Sequence, residues 1–299
     1  MIIAAMIWGF AFSAQKAAES VAPFTLGAVR SLFAFVFLIF VILLFDTFFD
    51  TGRRLFSKTK KIDINRTELI GGMVCGTILA LASFLQQAGI NGGTDAGKAS
   101  FITALYVVMV PIYALALKRK APINVWVIMP IAVAGFYLLC ITGEFTMALS
   151  DLFVLLCALI FPFHILAIDR FSPLCDGIRM SCVQFFVATV VNLVLALIFE
   201  SPIGFSEIGS SILPLLFLGI GSSGIAYTLQ ILGQRGVNPA AASIILSLES
   251  VFGVVGAAIF LGERMTLREY LGCAVVFLAV IISQIDISAL RLSGVEKNK

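Results

Sequence analysis

Long apolar runs separated by short polar breaks dominate this chain. A helix needs roughly 20 mostly apolar residues to cross a bilayer. Ten such runs cover about residues 1–20, 24–45, 67–88, 97–117, 123–142, 150–169, 177–200, 211–233, 239–261 and 266–287. They are too long, and alternate too weakly, for the strands of a membrane β-barrel, which leaves helices as the structure that satisfies the backbone in lipid. The pattern therefore predicts an all-α integral membrane protein with ten transmembrane helices.

The composition agrees with this prediction and excludes several classes of protein. Of the 299 residues, 60% are hydrophobic and 12% are charged, whereas a soluble domain averages about 25% charged residues. A net charge of +3 without a dense basic face excludes a nucleic-acid binder. The six cysteines are scattered without CxxC spacing, so we expect neither a metal site nor a disulfide framework, and no cofactor is implied.

The basic residues predict how the chain is oriented. If the N-terminus lies inside, the even-numbered connections and the C-terminal tail together hold 15 of the 20 Lys and Arg residues, and basic residues favour the cytoplasmic side. Both termini are therefore predicted to be cytoplasmic, with residues 288–299 as a cytoplasmic tail. Residues 1–20 lack a basic start and a small-residue cleavage site, so they are predicted to be the first span rather than a signal peptide.

A weak internal repeat divides the spans into two sets. A shift of 144 residues places residues 81–142 on residues 225–286 without gaps, so that the pair Leu85-Gln86 meets Leu229-Gln230. Each half would hold five spans, and an odd number inverts the second half. This predicts two inverted five-helix repeats, residues 1–142 and 150–287, an arrangement typical of secondary transporters with a site near the midplane. The alternative is that two apolar halves align by chance.

Several short motifs resemble a known family. They are Ala-Met-Ile-Trp-Gly-Phe at residues 5–10, Ala-Tyr-Thr-Leu-Gln at 226–230, Pro-Ala-Ala-Ala-Ser at 239–243, Leu-Glu-Ser-Val-Phe at 248–252 and Phe-Leu-Gly-Glu-Arg-Met-Thr at 260–266. Together they resemble EamA-type members of the drug/metabolite transporter superfamily. The resemblance implies a ten-helix transporter in the cytoplasmic membrane that moves small organic metabolites, amino acids among them, most often outward.

Ionisable groups inside the predicted spans are the first candidates for function, because each costs about 2.5–3.5 kcal/mol to insert at mid-bilayer. Glu249 lies at the centre of the ninth span, where it could carry a proton, bind a cationic substrate group or act as a structural carboxylate. Arg30 in the second span could bind a substrate carboxylate or brace the fold. His164 in the sixth span could line the cavity as a proton-sensitive group or pack as a neutral ring. Glu249, His164 and Arg30 are therefore the candidates for proton or charge coupling.

Aromatic and polar side chains in the spans complete the set of candidates. The candidate substrate-binding residues are Trp8, Gln15, Tyr106, His164, Tyr227, Gln230 and Glu249. The candidate hinges, where Pro or Gly loosens a helix, are Pro111, Pro162, Gly221 and Gly224. Packing between helices is the alternative role for most of them.

The leading prediction is a secondary transporter that exports amino acids or related metabolites by alternating access. Uptake of sugars or nucleosides, export of organic cations or drugs, and a non-transport scaffold or receptor are the alternatives. An enzyme is disfavoured because one His without a paired Asp or an HExxH motif offers little chemistry. The GxxxxGK[ST] motif of ATP hydrolysis is also absent. The expected partners are a small-molecule substrate and the lipid bilayer, with no nucleic acid, and we expect a monomer.

Overall fold

The regular structure of the chain is helical throughout the described residues. The computed structural model describes residues 1–48, 64–118, 123–140, 147–200, 205–260 and 266–283. The helices are α1 Ile2–Ala17, α2 Pro23–Phe48, α3 Arg66–Asn91, α4 Ala96–Ala104, α5 Tyr106–Ala116, α6 Ile123–Cys140, α7 Leu149–Phe171, α8 Gly177–Phe199, α9 Phe205–Ser210, α10 Ile212–Leu216, α11 Thr228–Gly233, α12 Pro239–Leu246, α13 Glu249–Phe260 and α14 Leu267–Ser283. A π-helical segment, Phe217–Tyr227, joins α10 to α11. The predicted tail, residues 288–299, lies outside the described residues.

Much of this helical structure is long and apolar enough to cross a membrane. Seven stretches of the described residues meet that condition: Pro23–Asp46, Arg66–Asn91, Ala96–Ala116, Leu149–Leu174, Gly177–Phe199, Ile212–Gly233 and Pro239–Gly256. Two shorter apolar helices, Ile2–Ala17 and Val125–Leu138, accompany them. The prediction of an all-helical membrane protein is thereby supported.

Polar side chains define where several helices begin. Asn65 and Glu68 form a reciprocal capping box at the start of α3, in which each side chain accepts a hydrogen bond from the other residue's backbone N–H at 2.9 Å. Asp176 caps α8, and Asn238 caps α12 just before Pro239, whose missing N–H costs nothing in the first turn. The boundaries therefore follow from local hydrogen bonding as well as from hydropathy.

Small residues let the helices approach closely. Helix α1 packs against α13, α2 against α8, α3 against both α7 and α8, and α6 against α14. A Cβ added at Gly9 would lie 2.5 Å from the Cβ of Phe252, and one added at Gly76 would lie 2.4 Å from the carbonyl oxygen of Gln184. Close backbone contact of this kind is how helices associate in lipid, where the hydrophobic effect does not drive them together.

Helices α2 and α8 run antiparallel and are joined at both ends. On the side of the bundle that holds Met1, called the Met1 side below, Arg179 in the first turn of α8 pairs with Asp46 near the end of α2 at 3.1 Å. On the opposite side, the carboxylate of Glu200 at the end of α8 accepts hydrogen bonds from the backbone N–H groups of Phe24 and Thr25, both at 2.7 Å. The end of each helix is therefore bonded to the first turn of the other helix.

Polar contacts at the same two sides of the bundle join α3 to the start of α8 and α7 to the start of α4. On the Met1 side, Glu68 at the start of α3 accepts a hydrogen bond from the backbone N–H of Asp176 at 3.1 Å. On the opposite side, Asp151 in the first turn of α7 pairs with Lys98 at 2.5 Å and accepts a hydrogen bond from the Thr94 hydroxyl at 2.9 Å. These contacts connect the first half of the chain to the second at both sides of the bundle.

Candidate functional site

Two of the long apolar stretches change their helical winding near the centre of the bundle. The backbone N–H of Leu105, between α4 and α5, bonds to the carbonyl of Ile102 at 3.2 Å, and that of Leu248, between α12 and α13, bonds to Ile245 at 3.3 Å. Both are the tight i to i−3 bonds of a 3₁₀ turn, which in mid-helix often marks a functional hinge. The shift of 144 residues places Leu105 on Glu249, so the two interruptions fall within one residue of each other in the predicted repeat.

A third irregular stretch is the π-helical segment Phe217–Tyr227, which packs against α1 and α2. Its glycines permit this approach, since a Cβ added at Gly219 would lie 2.5 Å from the Cβ of Phe33. The π-helix is rare and is frequently found at functional sites. Here it directs Ser222 and Ser223 toward Arg30 on α2.

The predicted hinge residues fall partly on these irregular stretches. Gly221 and Gly224 lie in the π-helical segment. Pro111 lies inside α5, so the interruption at Leu105 precedes it by more than a turn. Pro162 lies within α7, which is assigned as one helix from Leu149 to Phe171.

A small cavity of about 20 Å³ lies where the three irregular stretches meet. Its polar and aromatic lining is made by Trp8, Phe12, Gln15, Arg30, Gln86, Thr103, Phe161, Ser222, Tyr227 and Glu249. A volume of about 10–15 Å³ holds one water molecule, whereas pockets for drug-sized ligands measure about 300–1,000 Å³. The protein is therefore closed around the cavity in this conformation.

Arg30 is buried in the wall of this cavity without an acidic partner among the described residues. It is only 6% exposed. Its Nε donates to the Ser223 hydroxyl at 3.0 Å, one terminal nitrogen donates to the Ser222 hydroxyl at 3.3 Å, and the other donates to Gln15 Oε1 at 3.4 Å. All three acceptors are neutral, so the guanidinium is hydrogen-bonded while its charge is not neutralised.

The hydrogen bonds continue from Gln15 across the cavity wall. Gln15 Nε2 donates to Gln86 Oε1 at 3.1 Å, and Gln86 Nε2 donates to the Thr103 hydroxyl at 3.0 Å. Gln15 and Gln86 each accept one hydrogen bond and donate the next, and such chains strengthen cooperatively in a low dielectric. The network connects α1, α2, α3 and α4 and holds the Arg30 side of the cavity in one arrangement.

Glu249 lies in the wall of the same cavity without a basic partner in the part of the chain that the structure describes. It is 6% exposed and begins α13, and its Oε1 atom is buried without a hydrogen-bond partner. The buried Tyr106 hydroxyl lies close enough to interact with this carboxylate. Arg30 and Glu249 therefore line one cavity, each without an oppositely charged partner among the described residues.

Aromatic rings form the Met1-side floor of the cavity. The rings of Trp8 and Tyr227 lie 4.6 Å apart between centroids, and the Trp8 indole N–H donates to the carbonyl of Ser222 at 3.2 Å. Phe161 stacks near Tyr227 at 6.4 Å and near Tyr106 at 5.9 Å. These rings separate the cavity from the polar groups that lie below them.

His164 and Gln230 lie below the aromatic floor rather than in the cavity wall. Both are fully buried. The His164 ring meets Tyr227 edge-on at 5.6 Å, and its Nε2 is 3.0 Å from Gln184 Oε1. Gln230 donates to Gln234 Oε1 at 3.4 Å.

The structure therefore divides the predicted binding residues into two groups. Trp8, Gln15, Tyr227 and Glu249 line the cavity, Tyr106 packs beside it, and His164 and Gln230 do not reach it. Gln86, Thr103 and Ser222 also line the cavity, although sequence analysis did not include them among the site residues. No group of three or more His, Cys, Asp or Glu that could hold a metal ion occurs among the described residues.

Comparison with known proteins agrees with this architecture. The EamA-like transporter family matches residues 1–141 and, separately, residues 148–284. A relative from Archaeoglobus fulgidus, described as an uncharacterized transporter, is 28% identical over 292 residues, which cover 94% of this chain and 83% of the relative. A crystal structure with a TM-score of 0.74 and 18% identity covers 97% of this chain and 96% of that one, which shows a shared fold. The resemblance identified from the sequence is confirmed, as is the coarser prediction of a multi-pass membrane transporter.

Proposed function

The chain belongs to the EamA-like transporter family, and on that premise we propose that it exports amino acids or related zwitterionic metabolites across the cytoplasmic membrane by alternating access. Membership of the family supports transport. The zwitterionic substrate class rests on the charges in the central cavity. Outward direction rests on the family resemblance of the sequence motifs.

The proposed architecture has ten spans in two inverted repeats, with both termini in the cytoplasm. Two consecutive matches to one family support the duplication. The seven long apolar stretches, together with α1, α6 and α14, would give the ten spans. The distribution of basic residues supports a cytoplasmic Met1 side.

The observation that carries the proposal is that Arg30 and Glu249 line one cavity, each without an oppositely charged partner among the described residues. Leaving a charge buried without a partner is strongly destabilising, by about 3–5 kcal/mol in soluble proteins. A zwitterion would satisfy both charges, because its carboxylate can accept hydrogen bonds from Arg30 while its ammonium group pairs with Glu249. The rings of Trp8 and Tyr227 would then face the apolar part of the substrate, where aromatic surfaces bind well.

Alternating access requires the closed cavity to open on one side at a time. Interrupted helices at the midplane are typical of transporters whose two repeats rock around a fixed site. The 3₁₀ turns at Leu105 and Leu248 and the π-helical segment Phe217–Tyr227 border the cavity. We therefore propose these three stretches as the places where the helices bend.

Binding can be tested with probes that differ by one charged group. The melting temperature of the purified protein would be measured with L-phenylalanine, phenethylamine and 3-phenylpropionate, and with L-leucine, glucose, uridine and tetraphenylphosphonium. A ligand that binds the folded state raises the melting temperature by mass action. We expect an amino acid to raise it and both phenyl analogues lacking one charge to do so much less. A shift with glucose, uridine or the organic cation alone would replace this proposal with the corresponding alternative.

Two variants then test whether Arg30 and Glu249 bind the charged groups of the substrate. Arg30→Gln and Glu249→Gln should each weaken amino-acid binding at least about tenfold, since truncating one partner of a buried charge pair costs about 2–5 kcal/mol. Exchange in proteoliposomes should fall accordingly. Lys16→Gln and Glu19→Gln remove one charge of each sign from an exposed ion pair, so they serve as matched controls and should leave binding unchanged. Wild-type protein that exchanges none of the bound ligands would contradict a transport function.

A further inference from the structure

Arg30 borders a second cavity on its far side. This cavity measures about 10 Å³, the smallest cavity volume that holds one water molecule, and its polar lining is Arg30, Ser31, Ser83, Asn192 and Ser223. The guanidinium group carries five N–H donors. Three of them are used by Ser222, Ser223 and Gln15, which leaves two available.

Asn192 on α8 contributes an unused acceptor to this second cavity. Its side chain is 2% exposed, and its Nδ2 donates to the carbonyl of Ala188 at 2.8 Å. Its Oδ1 is buried and has no hydrogen-bond partner in the described part of the chain. A buried acceptor left in this way costs about 1–3 kcal/mol, so a partner for it is expected.

Gly27 makes room for the Asn192 amide beside Arg30. A Cβ added at Gly27 would lie 2.8 Å from both the Cγ and the Oδ1 of Asn192. Gly27 precedes Arg30 by three residues and therefore lies on the same face of α2. The missing side chain lets the amide of α8 pack on the backbone of α2 one turn from the guanidinium.

We propose that the second cavity holds one water molecule that accepts a hydrogen bond from Arg30 and donates one to Asn192 Oδ1. Asn192 is then a positioning residue, which acts on the substrate through Arg30. The water has the two to four polar partners that a buried water needs, since Ser31 and Ser83 also line the cavity. This deepens the proposed function and rests on it in one respect, namely that Arg30 binds the substrate carboxylate.

The neutral amide also determines selectivity. A carboxylate at position 192 would neutralise Arg30 from the side that faces the second cavity, and it would compete with a substrate carboxylate. An amide orients the guanidinium while leaving its charge available to the central cavity. Asn192 is therefore a determinant of the preference for ligands that carry a carboxylate.

The first test measures the coupling between the two side chains without any ligand. The melting temperatures of Asn192→Asp, Arg30→Gln and the double variant would be compared with wild type. A new carboxylate beside Arg30 is compensated, whereas the same carboxylate in the Arg30→Gln protein is not. We expect Asn192→Asp to lower the melting temperature by at least about 3 °C more in the Arg30→Gln protein. An equal change in both backgrounds would overturn the proposal.

Gln184→Glu is the matched control, because it changes another buried amide of α8 to a carboxylate next to His164 rather than Arg30. Its effect should be the same in both backgrounds. If Arg30→Gln does not fold, the two single variants still decide the question in the wild-type background. Asn192→Asp should then be the milder of the two, and an equal or larger loss of stability would contradict the role of Asn192.

The second test uses L-phenylalanine as the probe. Asn192→Asp should weaken its binding at least tenfold and leave any binding of phenethylamine, which lacks the carboxylate, unchanged. Equal weakening of both would contradict the proposed selectivity. If L-phenylalanine and L-leucine both fail to bind wild-type protein, the proposed function fails, while the stability comparison still decides whether Asn192 acts on Arg30.

Discussion

The two ends of the α2–α8 pair are built on the same plan with different chemistry. On the Met1 side a side-chain ion pair joins Asp46 to Arg179, and the Asp46 side chain is 36% exposed. On the opposite side the Glu200 carboxylate binds two backbone N–H groups of the first turn of α2, both at 2.7 Å. The Arg179 side chain is only 4% exposed, so water and salt reach this ion pair from the Asp46 end. The Glu200 bonds are shorter than the 3.1 Å of the ion pair, and they are also aligned with the dipole of α2.

Other polar contacts differ between the two sides in the same sense. On the Met1 side one hydrogen bond at 3.1 Å joins Glu68 of α3 to the start of α8, whereas on the opposite side the Asp151 carboxylate of α7 binds both Lys98 of α4 and Thr94 at 2.5 and 2.9 Å. The contacts on the Met1 side are therefore longer, and we expect that side to open more easily. If that side is cytoplasmic, the weaker end is the one that must open for an exporter to load its substrate.

Breaking the stronger end should have the largest effect. Glu200→Gln removes the negative charge at the N-terminus of α2 and leaves one acceptor for two N–H groups. We expect a loss of about 2 kcal/mol in stability, measured by thermal or denaturant unfolding. A cysteine introduced at Ala11 in the cavity wall should react faster with a membrane-impermeant reagent from the side opposite Met1. Unchanged reactivity there would contradict a closing role for Glu200.

Adding a methyl group between the two ends of the α2–α8 pair should have the second largest effect on stability. Gly27→Ala places a Cβ 2.8 Å from the Asn192 amide, and overpacking of this kind costs about 1–3 kcal/mol. We expect a lower melting temperature, part of which Asn192→Ala restores by removing the clash. No recovery in the double variant would show that the destabilisation arises elsewhere. Gly97→Ala, where an added Cβ would meet nothing within 4 Å, is the control.

Breaking the weaker end should have a smaller effect that depends on salt. Asp46→Asn removes the ion pair with Arg179 but keeps an acceptor for its guanidinium, so it should cost about 1 kcal/mol, less than Glu200→Gln. The difference from wild type should shrink between 0.05 and about 0.5 M salt, as the Debye length falls. The cysteine at position 11 should now react faster from the Met1 side. Faster reaction from the opposite side would contradict the conclusion that the Met1 side is the weaker end of the α2–α8 pair.

The smallest effect is expected for an ion pair that joins no two helices. Lys16 and Glu19 pair three residues apart, and their side chains are 34% and 48% exposed. Lys16→Gln should change stability by about 0–0.5 kcal/mol and leave cysteine reactivity unchanged from both sides. A change as large as that of Asp46→Asn would show that general loss of charge, rather than the end of α2, controls opening.

Hydropathy predicted the helices well because burial in lipid requires long apolar runs. The run predicted at 67–88 corresponds to α3 at Arg66–Asn91, and the run at 123–142 corresponds to α6 at Ile123–Cys140. The interruptions at Leu105 and Leu248 were not predicted, since no Pro or Gly marks them and their residues are as apolar as their neighbours. Pro111, which the sequence predicts as a hinge, lies inside α5 rather than at the interruption.

The site could be predicted only as far as unusual residues reveal it. Glu249 and Trp8 stand out in apolar spans, and both line the cavity. Gln86 and Thr103 line it too, but single neutral polar residues are common between packed helices. His164 was predicted to approach the substrate. This prediction used its position along the span, which does not show the face of the helix on which a residue lies. Residues more than 200 positions apart in the sequence meet in the cavity wall, and only the fold brings them together.

The π-helical segment makes the cavity sensitive to the deletion of a single residue. An α-helix turns 100° per residue, so removing one residue from Phe217–Tyr227 would rewind the segment toward α-helix and rotate one flank against the other. Either Ser222 and Ser223 would leave Arg30, or Tyr227 would leave the cavity floor. The span would still be long enough to insert into the membrane. A single-codon deletion here would therefore yield a protein that is made and inserted normally but cannot assemble both walls of its cavity.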